Sequence, residues 1–530
     1  MPDSTALSNI LTDMGLSGPR EPIPSSAREW SATDDAAFRN LQERLREVWP
    51  TIRVRTLAWV NRTVVVVAST SFDFEIPHYL APVLPAYEER FLFLVLGLLR
   101  QPGSIFIYVT SLPILPRVVD YYFQLVPELN TPDVRQRLFL VSLHDSSPRP
   151  LTEKILSRPR VIERIARLIP EPRRAFIYPF NASPLEGELG RRLDVAVYGP
   201  NPSLAHFGTK SGCRRLFAEE GVPHPFGVEG ITGPEALIAG IEQIRSERPA
   251  VREVVVKLNK GLSGLGNGVV CIDGVKDRAT LAERVRQIRL EDTDADADAF
   301  FGALGGEGGI VEERIMADSI RSPSVQMRCG PDGEYEVVST HDQLLGGPHG
   351  QSFLGCRFPV DQAYGRLIVS EAHKIGARLA REGVVGRFGI DFIVTQDPSG
   401  EWQAYAIEIN LRNGGTTQPF LTLMALTDGE YDPYTNEFRS ATGQAKYYIA
   451  TDHLEAPEYA TLTPDDLLDL LPRRGLLWHS GSQTGIVFHM ISALAVAGRV
   501  GLTAIGDTLE QAEELYARAR SVMDEESGRL

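Results

Sequence analysis

Hydrophobic positions recur along this chain with two different periods. Between about residues 52 and 200 the short β-branched or aromatic runs are TVVVVAS (63–69), SIFIYVTS (104–111), RLFLVSL (137–143), AFIYPF (175–180) and DVAVYG (194–199). Helical stretches such as YEERFLFLVLGLL and LTEKILSRPRVIERIARL separate them. Strands that alternate with helices predict a parallel α/β sheet. Ahead of them, Phe38, Leu41, Leu45 and Val48 repeat at helical spacing, and Pro50 is expected to stop that helix. Residues 1–32, rich in Ser, Pro and charge, read as a loosely held tail.

Beyond residue 205 the pattern changes. GTKSGCRRLFAEEG (208–221) predicts a helix ended by Gly221 and followed by Pro223. EVVVKL (253–258) and GVVCID (268–273) flank a glycine-rich loop, and RFGIDFIV (387–394) and WQAYAIEIN (402–410) flank a turn at DPSG (397–400). This part reads as antiparallel sheet with helices. After about residue 440 helices dominate: Thr463-Pro464-Asp465-Asp466 starts one, Thr508 and Gln511 form a capping box for another, and the apolar run GIVFHMISALAVAG (485–498) reads as a buried helix.

Length sharpens this division. At roughly 150 residues per domain, 530 residues allow three or four domains. Composition is that of a globular protein, 43% hydrophobic and 23% charged. Fifty-four basic against 69 acidic residues give a net charge of -15, which disfavours a nucleic-acid partner. The apolar runs at 91–99 and 485–498 fall short of the roughly 20 residues of a membrane span. Cys213, Cys271, Cys329 and Cys356 form no metal or redox spacing, and MPDSTALSNI has no basic or apolar leader pattern. A soluble cytoplasmic protein with reduced thiols is expected.

The chemistry concentrates in a few segments. Alternate residues of a strand share a face, so Glu408, Asn410 and, if the strand continues, Arg412 project together. A hairpin centred in DPSG sets Asp391 nearly opposite Glu408. Two carboxylates and an amide oxygen make a hard-oxygen site suited to Mg²⁺, and Arg412 beside them can hold a phosphate or carboxylate. The same residues also fit a solvated, charge-paired hairpin face. In VVVKLNKGLSGLGNGVV (254–270), glycines let backbone N–H groups approach an anion, with Lys257 just before them. The loop is neither a Walker A motif nor a Rossmann fingerprint. It reads either as a phosphate-covering flap or as a plain hairpin tip. GGIVEERIMADSI (308–320) carries Glu312 and Glu313, and HDQLLGGPHGQSFLG (341–355) reads as a substrate-facing loop or a long hairpin. His479 and His489 flank an apolar segment and read as structural.

In order, Lys210, Lys257, the glycine flap, VEERI, Asp391 and the E-x-N of Glu408 and Asn410 resemble the ATP-grasp superfamily. More closely, GTKSGCRRLFAEEGVPHPFG (208–227), EINLRNGGTTQPF (408–420) and GIVFHMISALAVAGRVGLTAIG (485–506) resemble the pheganomycin-type peptide ligases. The resemblance covers most of the chain after residue 50. It implies an α/β and α+β multidomain chain: a parallel α/β (pre-ATP-grasp) domain at 33–204, an ATP-grasp fold at 205–440, and a small mostly helical domain at 441–530. It also implies that Lys210 and Lys257 contact ATP under a flap containing Ser263, Gly264 and Gly266. Glu312 or Glu313, with the backbone near Ile315, would read adenine, and Asp391, Glu408 and Asn410 would hold Mg²⁺ or Mn²⁺. Asp318 or Ser319 would take the ribose position.

The activity so implied is ATP-dependent joining of a carboxylate to an amine through an acyl phosphate. Lys257 and Arg412 would stabilise the transferring group. The partners are then small carboxylates and amines, amino acids or peptides, with no nucleic acid and no membrane; a homodimer stays open. A kinase acting on a hydroxyl would share the metal site, and an inactive nucleotide-binding protein is a further alternative. A dehydrogenase on residues 52–200 lacks the glycine fingerprint.

Overall fold

The computed structural model describes residues 29–53, 62–73, 81–98, 103–261, 264, 266–292 and 295–528. The tail expected at 1–32 lies outside the described residues up to 28. Trp30 already belongs to the packed body, edge-on to Phe38 with its indole N–H on Asn201 Oδ1 at 3.1 Å.

Five strands form a parallel sheet in the spatial order Leu138–Ser142, Ile105–Thr110, Thr63–Val67, Ala175–Pro179, Ala196–Val197. All five apolar runs of the first half thus become strands. Thr63–Val67 is buried at every position because side chains cover both faces of the sheet. Phe38, Ile155, Ile162 and Leu189 pack on one face, and Phe91, Phe93, Val118 and Tyr122 on the other. The chain reverses its direction of travel across the sheet beside Thr63–Val67, and ligands dock outside the carboxyl ends of strands at such a switch point.

Two local readings change. The helix expected to stop at Pro50 is two helices, Ala32–Gln42 and Leu45–Arg53, with helical backbone carried through Pro50. Proline forfeits its own N–H bond, while burial of Leu45, Val48 and Trp49 holds that helix in place. YEERFLFLVLGLL is split into Leu84–Tyr87, a 3₁₀ turn Glu88–Phe91, and Leu94–Leu98.

Two antiparallel sheets follow. The smaller runs Gly227–Ile231, Gly309–Glu313, Glu253–Leu258, Asn267–Cys271, Arg289–Leu290. The larger has nine strands. Its path is Ser319–Arg321, Gly386–Gln396, Pro323–Cys329, Tyr335–Gly346, Ser352–Phe358, Tyr447–Glu455, Arg499–Gly506, Gly485–His489, and Trp402–Asn410 pairs with Gly386–Gln396. The long helix Gln362–Arg381 packs Ile368, Ala372, Ile375 and Leu379 against one face.

The C-terminal region keeps its helices, Pro464–Arg473 with the Thr463–Asp466 capping box and Leu509–Glu526. Thr508 caps the latter, but Gln511 accepts from the Asp507 N–H rather than closing the box. GIVFHMISALAVAG is not a continuous buried helix. Gly485–His489 is a strand, Met490 turns the chain at φ +53°, and Leu494–Ala497 is a single helical turn. A short, wholly buried apolar run reads alike as strand or helix. All four cysteines are free, and no described helix is long and apolar enough to cross a membrane.

Candidate active site

The strands Gly386–Gln396 and Trp402–Asn410 pair with Asp391 directly opposite Glu408, and Gly389 opposite Asn410. A bulge after Asp391 then shifts the register toward the DPSG turn. Glu408 and Asn410 share a face, and Asn410 Nδ2 donates to Asp391 Oδ2 and Glu408 Oε1, each at 2.9 Å. Gln343 Nε2 holds the other Asp391 oxygen at 2.7 Å, and Lys210 Nζ donates to Glu408 Oε2. Arg412 Nη2 donates to Asn410 Oδ1 at 2.9 Å and Nη1 to the Asn413 carbonyl at 3.0 Å.

Burial dominates the electrostatics here. It pushes the Asp391 carboxyl up to about 6, against the pull of Lys210 and Arg412. It pushes the Lys210 ammonium down to about 8, and Lys257 nearby adds to the shift. The Arg412 guanidinium is lowered to about 10 by burial, opposed by Asp391. Half-buried charges of both signs thus meet at one spot, where a further cation or anion changes the balance.

Lys210 is placed by the helix Lys210–Glu219, capped by Thr209, and its own N–H bonds the Asn259 carbonyl. Cys213, one turn on, accepts from the Ile409 N–H at 3.2 Å and ties that helix under the Glu408 strand. Lys257 sits on the small sheet with Nζ on Glu312 at 2.6 Å. Both Glu312 oxygens are taken, one by Lys257 and the other by Arg214 at 2.9 Å. Glu313 accepts from the Phe226 N–H at 2.8 Å. Ile315, just beyond, has no hydrogen-bond partner on its N–H among the described residues.

A cavity of about 570 Å³ lies between the two antiparallel sheets, with Lys257, Ile315, Gly264, Asp391 and Glu408 among its walls. The 341–355 segment is a hairpin whose turn reaches across to the small sheet. Glu291 accepts from the His349 and Gln351 N–H groups at 3.1 and 3.2 Å, and Asn267 Nδ2 bonds Gln351 at 2.8 Å. Gly264 sits there with φ +84°, and a Cβ would stand 2.8 Å from the Gln351 carbonyl oxygen. Glycine lets the flap close this tightly. Ser263 lies outside the described residues, Gly266 is in the flap with φ +87°, and Asp318 and Ser319 lie at the start of the strand Ser319–Arg321.

A second cavity, about 200 Å³, shares Asp391, Glu408, Gln343 and Gly264 with the first. Its far walls come from the switch point and the C-terminal strands: Thr70, Arg90, Phe180, Asp452 and His453. Sequence reasoning singled out none of these five. Gln343 fell in a segment it marked, but Arg90 sits within an apolar run and Asp452 within a strand, so no local pattern exposes either.

The donor set fits a divalent cation. Asp391 and Glu408 converge on one amide, and turning the Asn410 amide about its last torsion sets its oxygen between them. Among the described residues no cluster of three or more His, Cys, Asp or Glu could hold a metal. Two carboxylates alone suit Mg²⁺, which keeps positions for water and phosphate oxygens.

A cleft between two antiparallel sheets, walled by Lys257 on one side and the Asp391–Glu408 carboxylate pair on the other, defines the class. The family model described as IQCH-like, ATP-grasp matches residues 202–296 and 279–433, and that of the PGM1 C-terminal domain matches 466–519. An L-propargylglycine–L-glutamate ligase from Streptantibioticus cattleyicolor is 32% identical over 435 residues, 81% of this chain and 87% of that protein. The chain belongs to the ATP-grasp family. IQ motif-containing protein H of Danio rerio is 21% identical over 425 residues, 73% of this chain and 40% of that one. The fold also matches N5-carboxyaminoimidazole ribonucleotide synthetase, solved as an ADP complex, with a TM-score of 0.50 at 10% identity over 88% of this chain and 98% of that one.

Proposed function

We propose that this chain is an ATP- and Mg²⁺-dependent ligase that joins the carboxylate of one amino acid or peptide to the amine of another through an acyl phosphate. The observation that carries this reading is the meeting of two cavities at Asp391 and Glu408. One has the size and charge for a nucleotide, and the other opens beside Arg412 for the molecule to be activated.

In this reading the Ile315 N–H meets the adenine edge, and Lys210 and Lys257 face the phosphates. Glu312 holds Lys257 through its ion pair and Arg214 fixes Glu312 in turn. Asp391, Glu408 and Asn410 hold Mg²⁺, which when bound screens the phosphate charge and polarises the transferring group. Arg412 positions the attacking carboxylate, and Lys210 moves from Glu408 toward the phosphates. The glycine flap, held against the 347–352 turn at Gly264 and Asn267, excludes water that would hydrolyse the acyl phosphate.

Phosphate release from ATP, screened against pooled carboxylates and amines, tests this function. A stimulating pool that yields an amide supports it. A pool that yields a phosphorylated alcohol, or no stimulation by any pool, contradicts it.

A further inference from the structure

Three guanidiniums alternate with two aromatic rings along the smaller cavity. The Arg499 guanidinium carbon lies 5.3 Å from the Tyr87 ring centroid and that of Arg90 4.6 Å from it. The same Arg90 carbon lies 5.3 Å from the Phe180 centroid and that of Arg412 5.6 Å from it. The stack joins the leading sheet, the carboxylate hairpin and the C-terminal strands into one wall.

Two of these arginines line the cavity, and both have N–H donors to offer. The hydrogen bonds of Arg412 go to neutral oxygens, and no carboxylate pairs with it among the described residues. Arg90 gives Nη2 to Asp452 at 2.8 Å, while its Nε and Nη1 have no hydrogen-bond partner among the described residues. The other oxygen of Asp452 is bound to the buried His489 at 2.6 Å. Asp452 and His489 therefore fix the Arg90 fork rather than fill it. Two cations over one ring repel, and an anion with two charged ends relieves that repulsion at both.

We infer that this cavity takes a dicarboxylic amino acid, its reacting carboxylate at Arg412 and its second carboxylate at Arg90. The inference rests on the ligase reading and names its acid substrate. A volume of about 200 Å³ accommodates one amino acid. Phe180, Leu84 and Phe353 supply the apolar wall for the methylenes between the two charges. Arg90 is then a specificity-determining residue contributed from outside the nucleotide cleft, and Asp452 is its positioning residue.

Calorimetry decides the matter with named probes, each run with and without MgADP. The dicarboxylates are L-aspartate, L-glutamate and L-2-aminoadipate; the comparisons, each lacking one carboxylate, are L-glutamine and 4-aminobutyrate. At least one dicarboxylate should bind on the order of tenfold or more tightly than both comparisons, because a site built for a charged group rejects analogues that leave it unpaired. Arg90→Met should erase that preference while MgADP binds as in wild type. Arg90→Gln, which can still donate to Asp452, gives the same readout should the Met variant not fold. Equal affinity for the mono- and dicarboxylates overturns the inference, as does a preference that survives in either variant or no dicarboxylate binding in either nucleotide state. Failure of MgADP to bind the wild-type protein would instead count against the ligase reading.

Discussion

Asp391 shows how much one residue's surroundings decide. It is half-buried, accepts from Gln343 and Asn410, and lies opposite Glu408, so two carboxylates stand side by side where a cation can bridge them. In the proposed mechanism Asp391→Asn and Glu408→Gln each remove charge from a transition-state clamp, so each should lower ATP turnover on the order of 10²-fold or more. Steady-state phosphate release at saturating Mg²⁺ measures this, and near-wild-type rates in both would contradict the site. A second prediction concerns Glu88, whose carboxylate accepts from the Ser111 N–H and hydroxyl. Burial pushes its carboxyl from 4.5 up to about 7. Between those values the folded protein keeps a proton that the unfolded chain has released. The group's contribution to stability is therefore complete below about pH 4.5 and lost as pH rises through 7. Denaturant unfolding should show Glu88→Gln gaining on wild type between about pH 5 and pH 8, by on the order of 1–3 kcal/mol. A pH-independent difference would contradict it. Asp391, Glu408 and Asn410 were legible in sequence because strand alternation and hairpin pairing are local. Glu88 and Arg90 were not, because their partners come from other elements, Ser111 after the next strand for Glu88 and Asp452 more than 300 positions away for Arg90.

At the scale of elements, the DPSG hairpin was legible to within one residue, because turn position sets register and the bulge after Asp391 then shifts it by one. The strand Gly485–His489 was not, since only its pairing with Arg499–Gly506 distinguishes it from a buried helix. Tight strand contacts are equally hidden in sequence. A Cβ on Gly355 would stand 2.3 Å from the Ala450 carbonyl oxygen, where Ser352–Phe358 meets Tyr447–Glu455. Gly355→Ala should therefore destabilise the protein by roughly 1–3 kcal/mol through backbone displacement, read as a lowered Tm; an unchanged Tm would show that this joint yields freely. The Thr463 cap is the contrasting case, visible in sequence and confined to one helix end. Thr463→Ala should cost about 1 kcal/mol and leave turnover unchanged, because the cap lies outside both cavities. A loss of turnover without a loss of stability would contradict that separation.

For the molecule as a whole, the order of motifs from Lys210 to Asn410 announced the family, but not what surrounds the reacting centre. The parallel sheet delivers Thr70 and Phe180 from its switch point, and the C-terminal strands deliver Asp452 and His453. Nothing in the spacing of these residues marks them, because three separate stretches of chain meet only when folded. The C-terminal strands also continue the large sheet through Ser352–Phe358. A chain ended near residue 440 would expose that edge and much of the shared core. It should aggregate or unfold rather than retain nucleotide binding; a soluble, cooperative truncation that binds MgADP would contradict this. The central claim is that a carboxylate oxygen attacks phosphorus at the junction of the two cavities. Substrate acid carrying ¹⁸O in its carboxylate tests it most directly. With ATP, Mg²⁺ and an amine present, one labelled oxygen per amide formed should appear in inorganic phosphate. Amide formation with no label in phosphate would contradict the acyl-phosphate account, and label in AMP instead would point to an adenylate.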